Sequence, residues 1–289
     1  MKFACFGGDM RIVSLASMLE AAGHSVCCFA LENAPADKIK SCSLCPAAAA
    51  AQADCVILPL PAENSHGGLN APFSAFPRSM EKLLSGLTPK TIICAGKPSS
   101  ELLALAERQQ LRMVDYFQRE ELVALNALAT AEGAISVLLQ NSPITIWDSK
   151  ILIIGYGRIG KMLAERLRAM GAHVSVSARK PGDMAYVRAM GCKSLNSTEL
   201  SGRLGGFDTV INTVPSLILN KELLTQLPPE VLLMDLASRP GGIDFEAAAD
   251  MGLNVIWALG LPAETAPVTA GRIIMETVLN ILAENGIGD

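Results

Sequence analysis

The stretch Ile151-Leu152-Ile153-Ile154-Gly155-Tyr156-Gly157-Arg158-Ile159-Gly160 decides the fold of the second half of the chain. It opens with four apolar residues, the length of a buried strand, and continues with glycines spaced Gly-x-Gly-x-x-Gly. The spacing of apolar residues predicts a helix over Lys161–Met170 and a further strand over Val174–Ala178. A strand, a glycine turn, a helix and a second strand make one βαβ unit, so this half is predicted to carry a parallel sheet.

The same alternation of strands and helices runs through the first half of the chain. Lys2–Phe6 is predicted as a strand, Met10–Ala22 as a helix and Ser25–Ala30 as the next strand. The fold class is therefore α/β, with two Rossmann-like doubly wound parallel-sheet domains. We place the N-terminal domain, for substrate and partner, at residues 1–130 and the cofactor domain at 131–265. A C-terminal helix, 266–289, is expected to pack back on the first domain.

Length and composition agree with this organisation. The chain has 289 residues, which suits two domains of moderate size, and its formal net charge of −4 comes without a basic run. We therefore expect no nucleic-acid partner, and we expect no membrane partner because the most apolar segments are of strand length. Cys42 and Cys45 have a CxxC spacing, but no second pair with metal spacing exists, so we expect reduced thiols, no metal and a cytoplasmic location.

The glycine loop has the context that a dinucleotide site requires. Gly155 allows a tight turn, Gly157 lets a pyrophosphate approach the backbone, and Gly160 lets the helix pack on the strand. Arg158 and Ile159 lie at the helix N-terminus, where backbone N–H groups and the helix dipole favour a phosphate. The alternative is a plain strand-to-helix turn with incidental glycines.

The end of the following strand points to NADP, with NAD possible. NAD sites usually place Asp or Glu there to bind the ribose hydroxyls, whereas this strand ends at Ala178. Arg179 and Lys180 follow, and a guanidinium pairs well with a 2′-phosphate. Ser177 offers an additional hydroxyl. In the alternative interpretation, Arg179 and Lys180 form an ordinary solvated turn.

Two later strands are predicted at Thr209–Asn212 and Leu232–Asp235, and the first of them ends where the nicotinamide ribose usually runs. Each ending alone would also fit ordinary strand-to-loop chemistry. The residues predicted to line this part of the cofactor site are Thr213, Val214, Pro215, Asp235 and Ala237.

The first strand ends in a second glycine turn. Gly8 and the helix N-terminus after it are suited to hold a substrate carboxylate, with Arg11 as the ion partner. The alternative is a tight turn in which Asp9 caps the helix and Arg11 is exposed. We predict Asp9 and Arg11 as catalytic candidates.

Polar residues on the long helix after the first sheet are further candidates for substrate binding. Asn126 and Thr130 are four residues apart and share a helix face, and Glu132 follows them. Hydrogen bonding between domains would explain them equally well. His66, in a long loop after a strand, is a candidate general acid or base, although a solvent-exposed histidine is the simpler interpretation.

Taken together, these stretches resemble the A-subunit family of dipicolinate synthase over essentially the whole chain. The combination and order of the motifs is more specific than any one of them. The resemblance depends on Gly7-Gly8-Asp9-Met10-Arg11, Leu58-Pro59-Leu60-Pro61, Asn126, Thr130-Ala131-Glu132-Gly133-Ala134-Ile135, the glycine loop, Asn212-Thr213-Val214-Pro215, Asp235-Leu236-Ala237-Ser238-Arg239-Pro240-Gly241-Gly242, Ala258-Leu259-Gly260-Leu261-Pro262 and Ala266-Pro267-Val268-Thr269-Ala270-Gly271.

The resemblance implies a fold similar to that of formate/glycerate dehydrogenases and an oxidoreductase of dipicolinate biosynthesis. The implied substrate is a small dicarboxylate, a hydroxylated tetrahydrodipicolinate, which is converted to dipicolinate in the mother cell of a sporulating bacterium. The B-subunit of dipicolinate synthase is the implied partner, and we also expect a homo-oligomer. Arg11 and Arg239 are the best arginine candidates for binding the substrate carboxylates.

Two other functions compete with this one. A 2-hydroxyacid-type dehydrogenase usually carries a histidine, an acidic residue and an arginine in its cofactor domain. Here that domain has only His173, predicted at a strand start, which counts against this function. The second alternative is a cofactor-binding regulatory or structural subunit, which stays open because no acid–base pair is evident.

Overall fold

The structure, a computed structural model, describes residues 1–287. The chain divides into two compact units. One comprises Met1–Asn126 together with the segment that begins at Ala266, and the other is Ala127–Thr265. The division inside the chain falls four residues before the sequence-based position between 130 and 131, within one continuous helix.

Six parallel strands form the sheet of the first unit. They are β1 Lys2–Phe6, β2 Ser25–Phe29, β3 Cys42–Ser43, β4 Cys55–Ile57, β5 Ile92–Ala95 and β6 Arg112–Asp115. Their order is β3-β2-β1-β4-β5-β6, with every neighbouring pair parallel. The central strands β1, β4 and β5 are short apolar runs buried almost throughout, as expected of a parallel sheet covered by helices, whereas the edge strands β3 and β6 are partly exposed.

The helices of the first unit are α1 Met10–Ala21, α2 Pro46–Ala50, α3 Met80–Leu84, α4 Ser100–Arg108, the start of α5 Glu120–Asn141, and α11 Pro267–Glu284. Helix α11 packs on α1, and Ile273, Ile274 and Val278 join the core between them and the sheet. Helix α11 is shorter than the range 266–289 predicted for it, because it ends at Glu284. Residues 288–289 lie outside the described residues.

The second unit repeats the arrangement. Its strands are β7 Lys150–Ile154, β8 His173–Ala178, β9 Lys193–Asn196, β10 Thr209–Asn212, β11 Leu232–Asp235 and β12 Asn254–Trp257, in the order β12-β11-β10-β7-β8-β9. Its helices are the remainder of α5, α6 Arg158–Ala169, α7 Pro181–Ala189, α8 Lys221–Leu224, α9 Phe245–Asp250 and α10 Leu261–Thr265. Both sheets have the strand order of a Rossmann fold, so the predicted fold class is confirmed.

Among the differences between the structure and the sequence-based elements, two concern the glycine loop and the sheet edges. Helix α6 begins at Arg158, three residues before the predicted Lys161, because Gly157 occupies the N-cap position directly after the tight turn. Strands β3 and β9 were not predicted, because both are short edge strands with largely polar sequences. Helix α6 therefore begins fewer residues after β7 than the spacing of apolar residues predicts.

Helix α5 corrects the expectation that no segment is long and apolar enough to cross a membrane. It has 22 residues, and its mean hydropathy of 1.8 passes the test of length and composition. This is weak evidence for a span, because core helices of globular proteins pass the same test. Here 44% of the apolar window is buried, and Ala131, Ala134 and Leu138 belong to the core of the second unit.

Close packing of α1 against α11 gives a testable prediction about stability. A Cβ added at Gly271 would overlap the carbonyl oxygen of Arg11 and lie 3.2 Å from the Leu15 backbone nitrogen. Gly271→Val should therefore destabilise the first unit by about 1–3 kcal/mol, measured by denaturant unfolding.

The control is Ala283→Val, at an exposed position of the same helix. Helix propensity alone would make Gly271→Val the milder of the two changes, because glycine is already a poor helix former. A larger loss of stability for Ala283→Val would contradict the close approach of the two helices.

Candidate dinucleotide site

Three glycines shape the turn between β7 and α6. Gly155 has φ +102°, which favours glycine, and a Cβ there would lie 2.5 Å from Thr213 Oγ1. A Cβ at Gly160 would overlap the carbonyl oxygen of Gly155, so the helix packs against the turn with no room for a side chain. At Gly157, in contrast, a Cβ would meet no protein atom within 4 Å. The protein thus leaves open space in front of the one glycine that a pyrophosphate would approach.

A cavity of about 370 Å³ lies beside this turn, at the carboxyl ends of the strands. Parallel α/β sheets bind ligands at this edge. The lining residues are Ile154, Gly155, Tyr156, Gly157, Ser177, Ala178, Arg179, Lys180, Asp183, Ser197, Thr213, Val214, Pro215, Ser216 and Ile218. The structure therefore brings together the glycine loop, the end of β8 and the loop after β10, which the sequence placed in one site.

The end of β8 carries hydroxyls and cations. Ser177 is fully buried, and its hydroxyl oxygen accepts a hydrogen bond from Ser197 Oγ at 3.2 Å. Ala178 is the last residue of the strand, and Arg179 and Lys180 are exposed on the cavity wall. The carboxylate typical of NAD sites is absent at the strand end, while Asp183, in the first turn of α7, lines the same cavity.

Asp235 is fully buried at the end of β11, and both its carboxylate oxygens are engaged within the protein. Oδ1 accepts from Asn212 Nδ2 at 2.8 Å and from the backbone N–H of Ala237 at 2.9 Å, and Oδ2 accepts from the N–H of Gly242 at 2.7 Å. Asn212 also exchanges hydrogen bonds with the backbone of Val214. Asp235 therefore fixes the loops after two strands, and its oxygens point into the protein.

The loop that Asp235 holds carries Arg239. This residue is exposed in a turn closed by a hydrogen bond from Gly241 N–H to the carbonyl of Ser238, at 2.9 Å. Its guanidinium carbon lies 5.3 Å from the centroid of the Trp257 ring. The described residues provide no carboxylate in ion-pair contact with Arg239.

In the first unit, Gly8, Asp9 and Arg11 follow β1. Asp9 is the N-cap of α1, and its carboxylate accepts from the backbone N–H of Arg11 at 3.0 Å. Arg11 is buried and pairs through two nitrogens with Asp9, with a closest ion-pair distance of 2.8 Å. It also donates to the carbonyl of Leu60. Asp9 therefore caps the helix, as the second alternative predicts, while Arg11 is buried in an ion pair with Asp9 and is not exposed; pairing of Arg11 with a substrate carboxylate stays a prediction.

The glycine N–H groups of this turn serve the protein itself. Gly7 N–H donates to the carbonyl of Phe29, and Gly8 N–H donates to that of Asn70, each at 2.8 Å. Tyr116 lies beneath the same corner, where its hydroxyl donates to the carbonyl of Leu58 at 3.0 Å and burial raises its pKa. The corner after β1 is therefore built by contacts from distant segments.

His66, Asn126, Thr130 and Glu132 are the remaining candidates from the sequence. His66 is exposed and lines a separate cavity of about 720 Å³ beside α3 and α4. Thr130 is buried and Asn126 is half-buried, and each has an interaction within the protein. Glu132 is exposed and lies 3.6 Å from Arg166, in a solvent-exposed ion pair.

Comparisons with known proteins decide the family. The family model for the N-terminal domain of the dipicolinate synthase A-subunit matches residues 2–117. The dipicolinate synthase A-subunit of Bacillus subtilis (strain 168) is 35% identical over 234 residues, which cover 81% of this chain and 79% of the relative. The chain belongs to the dipicolinate synthase A-subunit family.

Structural comparison agrees with this membership. The crystal structure of the dipicolinate synthase A chain from Bacillus subtilis superposes with a TM-score of 0.87 at 31% identity, covering 98% of this chain and 96% of that one. The D-lactate dehydrogenase of Escherichia coli, with a TM-score of 0.60 and 16% identity over 100% and 98% of the two chains, shares the fold alone.

The second unit is assigned by its own family model. The model described as "D-isomer specific 2-hydroxyacid dehydrogenase, NAD binding domain" matches residues 129–251. This range contains the glycine loop and the cavity beside it. This member of the dipicolinate synthase A-subunit family is therefore an NAD(P)-dependent oxidoreductase, and the open space at Gly157 fits such a cofactor.

Several residues near the site escaped the sequence analysis. Ser197 follows the unpredicted strand β9, and Ser216 and Ile218 lie in the loop after β10. Trp257 lies in β12, and its indole N–H donates to the carbonyl of Ala237 at 3.0 Å, but the sequence around it gave no signal for this contact. Its role depends on a loop twenty residues away, which no local pattern reveals.

Gly157 offers a substitution that separates the ligand from the fold. Its φ of −78° suits any residue and a Cβ there meets no protein atom within 4 Å, so Gly157→Ala should cost no more than about 1 kcal/mol of stability, the difference expected for alanine at an N-cap. The same methyl group would stand where the pyrophosphate approaches. We expect the Kd for the dinucleotide to rise about tenfold or more, which corresponds to about 1.4 kcal/mol, measured by fluorescence titration of the reduced cofactor.

Gly206→Ala is the matched control, since a Cβ there also meets nothing within 4 Å and Gly206 lies outside the cavity. Equal Kd values for Gly157→Ala, Gly206→Ala and the unaltered chain would show that the pyrophosphate does not lie over Gly157.

Proposed function

We propose that the chain oxidises a hydroxylated tetrahydrodipicolinate to dipicolinate, with NADP as the preferred acceptor. The overall change removes one water molecule and transfers one hydride, and one proton is released. Both carboxylates and the carbon skeleton are retained. A bound nicotinamide supplies the hydride acceptor. Membership in the dipicolinate synthase A-subunit family carries this proposal.

The preference for NADP is supported by the end of β8. Ala178 stands where a carboxylate would bind the ribose hydroxyls of NAD and repel a 2′-phosphate. Arg179 and Lys180 line the cavity without an ion-pair partner among the described residues. Their charge is available to a phosphate, and Ser177 and Ser197 place two hydroxyls nearby.

Two arginines remain the candidates for binding substrate carboxylates. Arg239 offers an exposed guanidinium without a carboxylate partner among the described residues. Arg11 is held by Asp9 and by the carbonyl of Leu60, so its position is fixed before any ligand arrives. Asp9 and His66 stay candidates for proton transfer, and Asn126, Thr130 and Glu132 stay candidates for substrate contacts.

The 2-hydroxyacid dehydrogenase alternative lacks its histidine. His173 is the one histidine of residues 127–265, and it begins β8, where it pairs with Asp148 at 2.8 Å. It therefore lies at the amino-terminal end of the strand, opposite the edge that carries the cavity. A histidine there does not reach a substrate beside the nicotinamide.

The biological setting follows from the same family. We propose that the chain works with the B-subunit of dipicolinate synthase in the cytoplasm of the mother cell of a sporulating bacterium, and that it forms a homo-oligomer. In the regulatory alternative, the partner would carry out the chemistry while this chain binds the cofactor.

Turnover tests the reaction. The purified chain with the B-subunit, the hydroxylated substrate and NADP should form one dipicolinate for each reduced cofactor, because a single hydride is transferred. The reduced cofactor is followed by absorbance, and dipicolinate is quantified by chromatography. Dipicolinate formed without any reduced cofactor would overturn the dehydrogenase function and favour the regulatory alternative.

Arg179→Ala tests the cofactor preference. The Kd for NADPH should rise about tenfold, because a charge-assisted contact to the 2′-phosphate is lost, while the Kd for NADH should change less than about twofold. The control is Arg188→Ala, an exposed arginine of α7 outside the cavity. An equal weakening of both cofactors would place Arg179 on a group they share and remove the basis for NADP preference.

A further inference from the structure

A pair of aromatic rings among the described residues lies beside the loop that follows β11 and that Asp235 holds in place. Phe245 and Trp257 stack with ring centroids 4.6 Å apart and an interplanar angle of 26°. The Arg239 guanidinium carbon lies 5.3 Å from the Trp257 centroid, within the range of a cation–π interaction. A cation, an indole and a phenyl ring thus form a layered stack.

Trp257 touches this loop in two independent ways. Its indole Nε1 donates to the carbonyl of Ala237 at 3.0 Å, two residues before Arg239. Its ring also contacts the Arg239 side chain itself. One residue therefore fixes both the backbone that precedes the arginine and the guanidinium at its tip.

The turn passes close over the aromatic pair. A Cβ at Gly241 would lie 3.1 Å from Phe245 Cε2 and 3.4 Å from Trp257 Cζ2, and Gly241 has φ +87°. The buried carboxylate of Asp235 holds both flanks of the same turn through the N–H groups of Ala237 and Gly242. The backbone under Arg239 is thus fixed from two sides, which leaves its long side chain as the remaining freedom.

The Trp257 indole restricts this conformational freedom of the Arg239 side chain. An arginine side chain has many rotamers, and part of this conformational entropy must be lost when it binds a carboxylate. Contact with the Trp257 ring restricts the guanidinium before a ligand arrives. The indole accepts no conventional hydrogen bond from the guanidinium, so the Arg239 N–H groups stay available to a carboxylate, for which their fork geometry is suited.

The geometry points to Trp257 as a positioning residue that holds the Arg239 guanidinium ready for a carboxylate of the substrate. This inference rests on the proposed function, since it needs Arg239 to bind the dicarboxylate. It adds a residue, Trp257, backed by Phe245, that acts on substrate affinity through Arg239 and makes no contact with the substrate itself.

The test is a double-mutant cycle with dipicolinate as the probe. Dipicolinate is titrated calorimetrically into the full chain saturated with NADPH, for the unaltered protein, Arg239→Ala, Trp257→Leu and the double variant. Trp257→Leu should raise the dipicolinate Kd about fivefold, and Trp257→Phe, which keeps an aromatic face, should raise it less. In the Arg239→Ala background, Trp257→Leu should add less than about a twofold change, because the group it positions is gone.

Two further measurements separate positioning from a general loss of structure. The Kd for NADPH should stay within about twofold in Trp257→Leu. The matched control is Trp147→Leu, which alters the other of the two tryptophans, exposed and outside this loop, and should leave the dipicolinate Kd unchanged.

The outcomes distinguish the two proposals. If Arg239→Ala weakens dipicolinate binding but Trp257→Leu weakens it equally in both backgrounds, the positioning role is wrong and the proposed function stands. If the unaltered chain does not bind dipicolinate, or Arg239→Ala leaves the Kd unchanged, the substrate assignment of Arg239 fails and the role of Trp257 fails with it.

Discussion

The approach of Gly160 to the carbonyl oxygen of Gly155 is the constraint on which the cofactor site depends. The two residues are so close that a single Cβ would overlap the oxygen. This contact draws the first turn of α6 onto the end of β7, and Gly157 becomes the N-cap of the helix. The first backbone N–H groups of a helix have no partner within it, so the N-terminus of α6 is where the proposed pyrophosphate would be bound.

A second constraint is the buried charge of Asp235. A carboxylate removed from water is costly unless donors surround it, and here three donors at 2.7–2.9 Å do so. Two of the donors are backbone N–H groups of the following loop, and the third is the amide of Asn212, at the end of the neighbouring strand. Hydrogen bonding to the buried Asp235 carboxylate therefore fixes two loops. The loop after β10 borders the cavity, and the loop after β11 carries Arg239. The sequence pattern predicts Asp235 at the cofactor, whereas its hydrogen bonds indicate a role in holding the loops.

The pattern of apolar residues predicted those strands whose buried residues form a continuous run in the sequence. The strands Thr209–Asn212 and Leu232–Asp235 were predicted with their observed bounds, because each is a fully buried apolar run that ends in a polar residue. Strand β9, Lys193–Asn196, has one buried residue, Leu195, and becomes a strand through its pairing with β8. Ser197 was missed with it. The corner after β1 shows the same limit, because the burial of Arg11 depends on Leu60, 49 residues away in the chain. The spacing of apolar residues in a helix predicts which face packs on the core. It does not predict which carbonyl group, distant along the chain, accepts a hydrogen bond from a side chain of that helix.

The two arginine candidates differ in what a carboxylate would gain from them. Arg11 already shares its charge with Asp9 at 2.8 Å, so a ligand meets a pair with no net charge and has to compete for donors in use. Arg239 has no carboxylate in contact among the described residues, and its aromatic neighbour orients the cation without neutralising it. Under the proposed function, an incoming carboxylate would therefore gain more from Arg239, while Arg11 is better suited to holding the shape of its corner. The larger electrostatic contribution to the proposed dicarboxylate binding is then expected from the unit that also carries the cofactor cavity.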